Sequence, residues 1–253
     1  MNAFETKLTE LGRVLRSGQR IAVLTGAGIS AESGIPTFRD KDGLWKQFRA
    51  EELATPQAFY RDPGLVWEWY DWRRNIIASK KPHAGHRVLA RWEGLFPFFV
   101  LITQNVDGLH RRAGSQNVLE LHGNIWEVRC TKEGTVAENY ESPLRSIPPL
   151  CPACGSIVRP NVVWFGEALP SETLEEAYAA SASCDLMFVI GTSAFVQPAA
   201  SLPLLAAQRG ATVIEVNPEP TPLTSSADFV FQGKAGDVLP LIDERLGGGP
   251  IGT

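Results

Sequence analysis

The segment Ile21-Ala-Val-Leu-Thr-Gly-Ala-Gly-Ile-Ser-Ala-Glu-Ser-Gly34 constrains this chain more than any other. Apolar residues of strand type feed a turn containing Gly26 and Gly28, and a helix-compatible stretch follows. A strand, a tight glycine turn and a helix N-terminus make a site for a pyrophosphate. Backbone N–H groups and the positive end of the helix dipole face the anion, and glycine admits it without a Cβ in the way. Gly26-Ala-Gly28-Ile-Ser-Ala31 fits the GxGxxG/A pattern of such turns. One part of the usual dinucleotide fingerprint is missing. About 20 residues on, where a second strand should end in Asp or Glu for the ribose, the chain is rich in Trp, Arg and Gly. An ordinary hydride-transferring dehydrogenase is thereby disfavoured.

Further short apolar runs read as buried parallel strands: Phe98–Thr103, Leu186–Ile190, Thr212–Val216 and the weaker Phe229–Phe231. Between them lie helix-length segments at His86–Glu93, Ser171–Ala182, Pro198–Arg209 and Asp237–Leu246, and Met1 to Arg20 reads as an amphipathic helix. The alternation predicts an α/β fold: a Rossmann-like, doubly wound parallel sheet. Ligands of such sheets sit at the carboxyl ends of the strands, and the polar clusters Gly26 to Ser30, Gln104 to Asp107, Gly191 to Ser193 and Asn217 to Glu219 fall at those ends. Two stretches break the alternation. Residues 35–80 hold four of the seven tryptophans and no clear strand; residues 124–162 hold three clustered cysteines and several prolines. They are expected to build a smaller module, part helical and part zinc-ribbon-like, leaving 1–34, 81–123 and 163–253 for the nucleotide-binding domain.

With 24 Lys and Arg against 28 Asp and Glu, the net charge of −4 offers no global attraction for nucleic acid or anionic lipid. No apolar run approaches the ~20 residues that span a bilayer, and the N-terminal segment lacks a signal-peptide core. The expected setting is the cytoplasm, the expected state a monomer, with neither membrane nor nucleic acid as partner. Four cysteines in a chain of 253 residues do not suggest a disulfide scaffold. Cys184, beside an apolar strand, reads as a small buried hydrophobe.

Several constellations carry chemistry, each beside a plainer reading. Gln104, Asn105 and Asp107 follow a buried strand; their amide and carboxylate groups suit a carboxamide and ribose hydroxyls, or form a self-satisfied turn. His122, just before Gly123, suits proton transfer from a sugar hydroxyl, or is a structural histidine. Asn217 and Glu219 are candidate ribose readers, or Asn217-Pro218 is simply a turn. Tyr70 and Arg73, at i and i+3 on one helix face, suit a carboxylate, or are a packed aromatic beside a surface cation. Cys130, Cys151 and Cys154 resemble three-quarters of a structural zinc site. Its fourth position is Glu133, which either ligates through oxygen or leaves the module held by packing alone.

Together these segments resemble the sirtuin family of NAD-dependent protein lysine deacylases. The matching pieces are GAGISAESGIPTFRD (26–40), TQNVDGLH (103–110), LHGN (121–124), VVWFGE (162–167), GTS (191–193) and VNP (216–218). Tyr70 and Arg73 resemble the subgroup that prefers succinyl and malonyl groups, and Ala54 is small enough for a pocket wider than acetyl needs. The resemblance implies that Gly26, Ala27, Gly28, Ile29 and Ser30 hold the pyrophosphate, with Phe38 and Arg39 on a loop closing over the cofactor, and that Glu32, Thr37 and Trp45 also bind the cofactor. It implies that Asn105, Val106 and Asp107 seat the nicotinamide, Asn105 sharing in catalysis, with Gln104 on a ribose hydroxyl and His122 as general base. Gly191, Thr192, Ser193, Asn217, Pro218, Glu219 and Ala235 would line the phosphate and adenosine end. Val162, Val163, Phe165 and Gly166 would pair with the substrate backbone as an added strand.

The implied partners are acylated lysine side chains of proteins, and the implied cofactors are NAD and one structural zinc. The implied products are nicotinamide, free lysine and 2′-O-acyl-ADP-ribose. Mono-ADP-ribosyl transfer and a non-catalytic NAD-sensing module are the alternatives.

Overall fold

The computed structural model describes residues 3–15, 18–36 and 48–246. A six-stranded sheet is formed by β1 (Arg20–Thr25), β2 (Phe98–Thr103), β3 (Val118–Glu120), β7 (Leu186–Ile190), β8 (Thr212–Asn217) and β9 (Phe229–Gln232), in the order β3-β2-β1-β7-β8-β9. Every pairing is parallel. The remaining strands, β4 (Gly123–Cys130), β5 (Val136–Glu138) and β6 (Val158–Val162), make a separate antiparallel sheet, order β5-β4-β6.

The central strands are apolar throughout because both of their faces are covered. Alternate residues divide between two cores. Ile21, Val23, Leu101, Phe188 and Ile190 pack with the helices Ala3–Val14, Ala84–Leu95 and Ala235–Arg245. Ala22, Leu24, Ile102, Met187 and Val189 face the helices Ser171–Ser183 and Leu202–Gln208. The first helix is shorter than the sequence pattern suggested, and the segment from Pro198 divides into a short 3₁₀ turn, Ala199–Ser201, and a helix. Strand β3 was not among the expected strands: it has three residues, and Glu120 interrupts its apolar pattern.

Residues 50–78 are helical, with two starts written into the sequence. Thr55 accepts from the Ala58 N–H ahead of Pro56, and Asp62 accepts from the Leu65 N–H ahead of Pro63. A capping side chain followed by Pro at the first helical position is a strong start signal. The helix Pro63–Ala78 buries Val66, Trp67, Trp69, Tyr70 and Ile77 in a third core, shared with Ile125, Val128 and Val158 of the small sheet. Arg74 reinforces that junction, donating to the Ile125 carbonyl and to Asn139. Leu109 and Trp164 also join this core, although both fall in segments assigned by sequence to the larger domain. No helix among the described residues is long and apolar enough to cross a membrane.

The chain leaves β1 towards β2 and β3 on one side and later returns to β7, β8 and β9 on the other. The order therefore reverses between β1 and β7, which makes the crevice outside their carboxyl ends the topological switch point where such sheets bind ligands. Thr25 stands level with Thr103 and with Ile190, and Ile190 with Val216, so four loops leave the sheet at one height.

Candidate functional site

At the crevice the loop after β1 lies directly on the loop after β7. Gly26 N–H donates to the Ile190 carbonyl at 3.1 Å and Gly28 N–H to the Gly191 carbonyl at 2.7 Å. A Cβ on Gly28 would stand 2.7 Å from that same oxygen, and Gly191 has φ +59°. Two of the amides expected to be bare for a phosphate are thus taken by main chain. The helix that follows, Ala27–Ala31, is only five residues long. The glycines are needed at least as much for the contact between the two loops as for the approach of a ligand.

The loop after β2 crosses to meet them. Asn105 donates from Nδ2 to the Gly26 carbonyl at 2.9 Å and to Ser30 Oγ at 3.0 Å, while Ser30 Oγ donates to Asp107 Oδ2 at 2.6 Å. Asp107 Oδ1 accepts from the Leu109 N–H, and burial raises its carboxyl above the usual range against the pull of these bonds and of Arg73. Gln104 Nε2 donates to Thr192 Oγ1 at 2.9 Å, tying the β2 and β7 loops together. Val106 turns instead towards the core of the smaller module. Ser193 continues the β7 loop, half-buried. At the end of β8, Asn217 Nδ2 donates to the Glu219 carbonyl at 2.9 Å, which is the turn-type bond, and Pro218 and Glu219 are exposed.

Glu32, expected among the cofactor-binding residues, is engaged with the start of the last helix. Its two oxygens accept from the Ala235 and Gly236 N–H groups at 2.6 and 2.8 Å, so it caps the helix Ala235–Arg245. Ala235 correspondingly presents its N–H to Glu32, and its side chain is buried in the core. Thr37, Phe38, Arg39 and Trp45 lie outside the described residues.

His122 follows β3 at the same rim. Its Nδ1 lies 2.8 Å from the Gln104 carbonyl oxygen. A carbonyl can only accept, so Nδ1 carries the proton and Nε2 keeps its lone pair. Burial lowers the ring's pKa, and the bond to Gln104 partly offsets this. The result is a neutral imidazole, oriented by main chain and able to accept a proton.

The smaller module reaches the same rim through the segment after β6. Val162 pairs with Gly123, Val163 N–H donates to the His122 carbonyl and Phe165 N–H to the Ala54 carbonyl, both at 2.9 Å. Phe165 and Gly166 are exposed, and β6 is an edge strand of its sheet. Tyr70 is fully buried, and its hydroxyl accepts from Trp164 Nε1 at 2.8 Å. Half-buried Arg73 lies over the Trp69 ring, 5.5 Å from its centroid. Burial lowers its pKa, while Tyr70 and Asp107 act in the opposite direction. Trp164, Glu167 and Arg159 were not singled out by sequence, although the VVWFGE segment contains the first two. In the structure Arg159 and Glu167 form a two-pronged ion pair of 2.6 and 2.8 Å around that segment.

Far along the small sheet, Cys130, Glu133, Cys151 and Cys154 place four ligand atoms within 4.8 Å of one another. Two turns supply them. Cys130-Thr-Lys-Glu133-Gly134 and Cys151-Pro-Ala-Cys154-Gly155 each close with the glycine N–H on the first cysteine's carbonyl, at 2.9 and 2.8 Å, and the glycines have φ of +71° and +70°. Glu133 therefore occupies in one turn the position of Cys154 in the other. Three thiols and a carboxylate at this separation suit a tetrahedral zinc ion. Cys184 lies apart and buried, which pushes its thiol up to about 11, as fits a packing residue.

The Sir2 family pattern matches residues 26–198. The chain is 58% identical over 226 residues to an NAD-dependent protein deacylase of Aquifex aeolicus, covering 89% of this chain and 95% of that protein. It is 60% identical over 225 residues to NAD-dependent protein deacylase 1 of Caldanaerobacter subterraneus, covering 89% and 93%. Among solved structures, the complex of a Sir2 homologue with NAD superposes with a TM-score of 0.87 at 48% identity, covering 97% of this chain and 94% of that one. The sirtuin resemblance read from the motifs is confirmed over most of the chain: it belongs to the Sir2 family.

Proposed function

We propose that the protein is an NAD-dependent protein lysine deacylase that favours succinyl- and malonyl-lysine over acetyl-lysine. The deacylase activity is supported by the similarity to enzymes of that name over nearly their full length. The observation that carries the chemistry is the fixed tautomer of His122, with its bare Nε2 at the rim where the β1, β2 and β7 loops meet. The residues of 1–34, 81–123 and 163–253 form the cofactor-binding part, and those of 35–80 and 124–162 the smaller module.

Bound NAD supplies the electrophilic carbon at which nicotinamide is exchanged for the acyl oxygen. The protein's contribution is orientation, exclusion of water and one proton transfer. Ser30, Asn105 and Asp107 form a connected buried set, suited to gripping the nicotinamide carboxamide. Gln104 and Thr192 join two of the loops, and Gln104 would hold a ribose hydroxyl. His122 Nε2 takes the proton from a ribose hydroxyl.

The acyl preference rests on Tyr70 and Arg73, a buried phenol and a guanidinium one turn apart on the helix Pro63–Ala78. Burial pushes the Tyr70 hydroxyl up to about 12, so it remains a neutral donor at working pH. A phenol O–H beside a guanidinium matches a terminal carboxylate and gives an acetyl methyl nothing to bond. The deciding experiment is mass spectrometry of acetyl-, succinyl- and malonyl-lysine peptides incubated with the protein and NAD. Faster loss of the acidic acyl groups, with nicotinamide released in equal amount, is expected. Equal rates would remove the acyl preference, and ADP-ribose left on protein without deacylation would replace the deacylase reading by mono-ADP-ribosyl transfer.

A further inference from the structure

Trp164 is buried, and three contacts hold its indole still. The Arg159 guanidinium lies over the ring, 3.5 Å from its centroid, and Phe59 packs against it with ring centroids 5.2 Å apart. Its own main-chain N–H donates to Glu167 Oε2 at 2.9 Å, the same carboxylate that holds Arg159. An indole nitrogen can only donate. The 2.8 Å contact between Trp164 Nε1 and the Tyr70 hydroxyl therefore fills an acceptor site on the phenol oxygen and turns the phenol's own proton elsewhere.

Among the described residues that proton meets no acceptor. A buried donor without a partner costs free energy, and here it stands one helical turn from Arg73, whose charge acts on it. The phenol therefore offers a donor for one incoming acceptor oxygen.

We propose that Trp164 is a positioning residue for acyl selection: its indole N–H fixes the rotation of the Tyr70 hydroxyl so that the phenol donates to the terminal carboxylate of an acidic acyl group. This rests on the reading of Tyr70 and Arg73 as the acyl-carboxylate site. Arg159 and Glu167 act one step further back by holding the indole. Selectivity then depends on a residue that touches neither the cofactor nor the acyl group.

The test compares kcat/KM on succinyl- and acetyl-lysine forms of one peptide for the NAD-supplied enzyme and for Trp164→Phe, which keeps an aromatic ring and deletes the N–H. Losing the preset hydroxyl should lower the succinyl-to-acetyl ratio about fivefold, on the order of one hydrogen bond, through a raised KM for the succinyl peptide. In a Tyr70→Phe background the same substitution should leave the ratio unchanged. If Trp164→Phe does not fold, a benzothienylalanine at that position keeps the indole shape and removes only the N–H. A parallel fall on both peptides, or an undiminished effect without the Tyr70 hydroxyl, would reduce Trp164 to packing and overturn the proposal. Arg73→Met separates the underlying reading. If it leaves the ratio unchanged, the carboxylate site itself fails; if it lowers the ratio while Trp164→Phe does not, only the positioning role fails.

Discussion

His122 is bound through Nδ1 to the main-chain oxygen of Gln104 at 2.8 Å, and this contact decides which ring nitrogen can act. His122→Tyr, which removes the lone pair at Nε2, should abolish turnover while NAD still binds. Nicotinamide release and NAD titration by fluorescence or calorimetry check the two halves, and near-normal turnover would mean that another base operates. Burial lowers the His122 pKa. The acidic limb of kcat/KM should consequently lie below about 6.5, the ordinary histidine value, because the base form persists to lower pH. A limb above that value would show that a different group titrates.

Arg73→Met should reduce desuccinylation by ~2–3 kcal/mol more than deacetylation, the scale of a hydrogen bond to a charged group. The neighbouring Asp107 complicates the comparison usefully. Arg73 helps hold the Asp107 carboxyl down against burial, so removing the cation should also raise that carboxyl and weaken nicotinamide seating at the acid end. Deacetylation by the variant should thus decline more steeply below neutral pH than in the parent. Peptide kinetics at two pH values separate the effects, and equal loss on both peptides at pH 8 would defeat the acyl assignment.

The large sheet was legible because its central strands are buried on both faces and therefore written as nearly continuous apolar runs; Phe98–Thr103 and Leu186–Ile190 are observed with the expected ends. Strand β3 was hidden by its length of three residues. The paired caps at Thr55-Pro56 and Asp62-Pro63 signal the helices of the smaller module, but its antiparallel sheet has no comparable signature because exposed β5 and proline-bearing β6 break the alternation. The candidate rim was legible where motif and strand end coincide: Asn105 and His122 were read just after apolar segments and stand at the loops that meet there. The partners of Glu32 were not legible, because a carboxylate close to a glycine turn gives no sign that it meets the Ala235 and Gly236 amides some two hundred residues away. The Trp164–Tyr70 bond spans 94 residues and was invisible for the same reason.

Glu133 gives the zinc-type site a mixed donor set, and thiolates hold zinc more tightly than a carboxylate does. Glu133→Cys should therefore slow zinc transfer to a chelator. Glu133→Ala should accelerate it by more than about tenfold, since changes to outer-shell partners alone already reach that size. The visible spectrum of cobalt-substituted protein provides a second readout, as a fourth thiolate in Glu133→Cys strengthens the sulfur charge-transfer band. Identical release from the parent and from Glu133→Ala would remove Glu133 from the ligand set.

The buried histidines behind the β1 loop predict loss of stability in mild acid. The His86 and His110 rings are tilted against each other with centroids 4.9 Å apart, and among the described residues His86 Nε2 and His110 Nδ1 have no hydrogen-bond partner. Burial above all, then neighbouring cationic groups, lowers their pKa values to about 2 and about 3. The unfolded chain binds protons at these rings below about 6.5 while the fold refuses them. Their contribution is present above that pH and is lost as pH falls towards the folded values, by about 1.4 kcal/mol per pH unit for each ring. Asp107 and Glu120, whose carboxyls burial raises, act in the opposite sense because the fold takes up their protons first. His110→Asn isolates the histidine part. Urea titrations between pH 6.5 and 5 should show a mean slope shallower by about 1 kcal/mol per pH unit in the variant than in the parent, and equal slopes would mean that His110 is protonated in the fold.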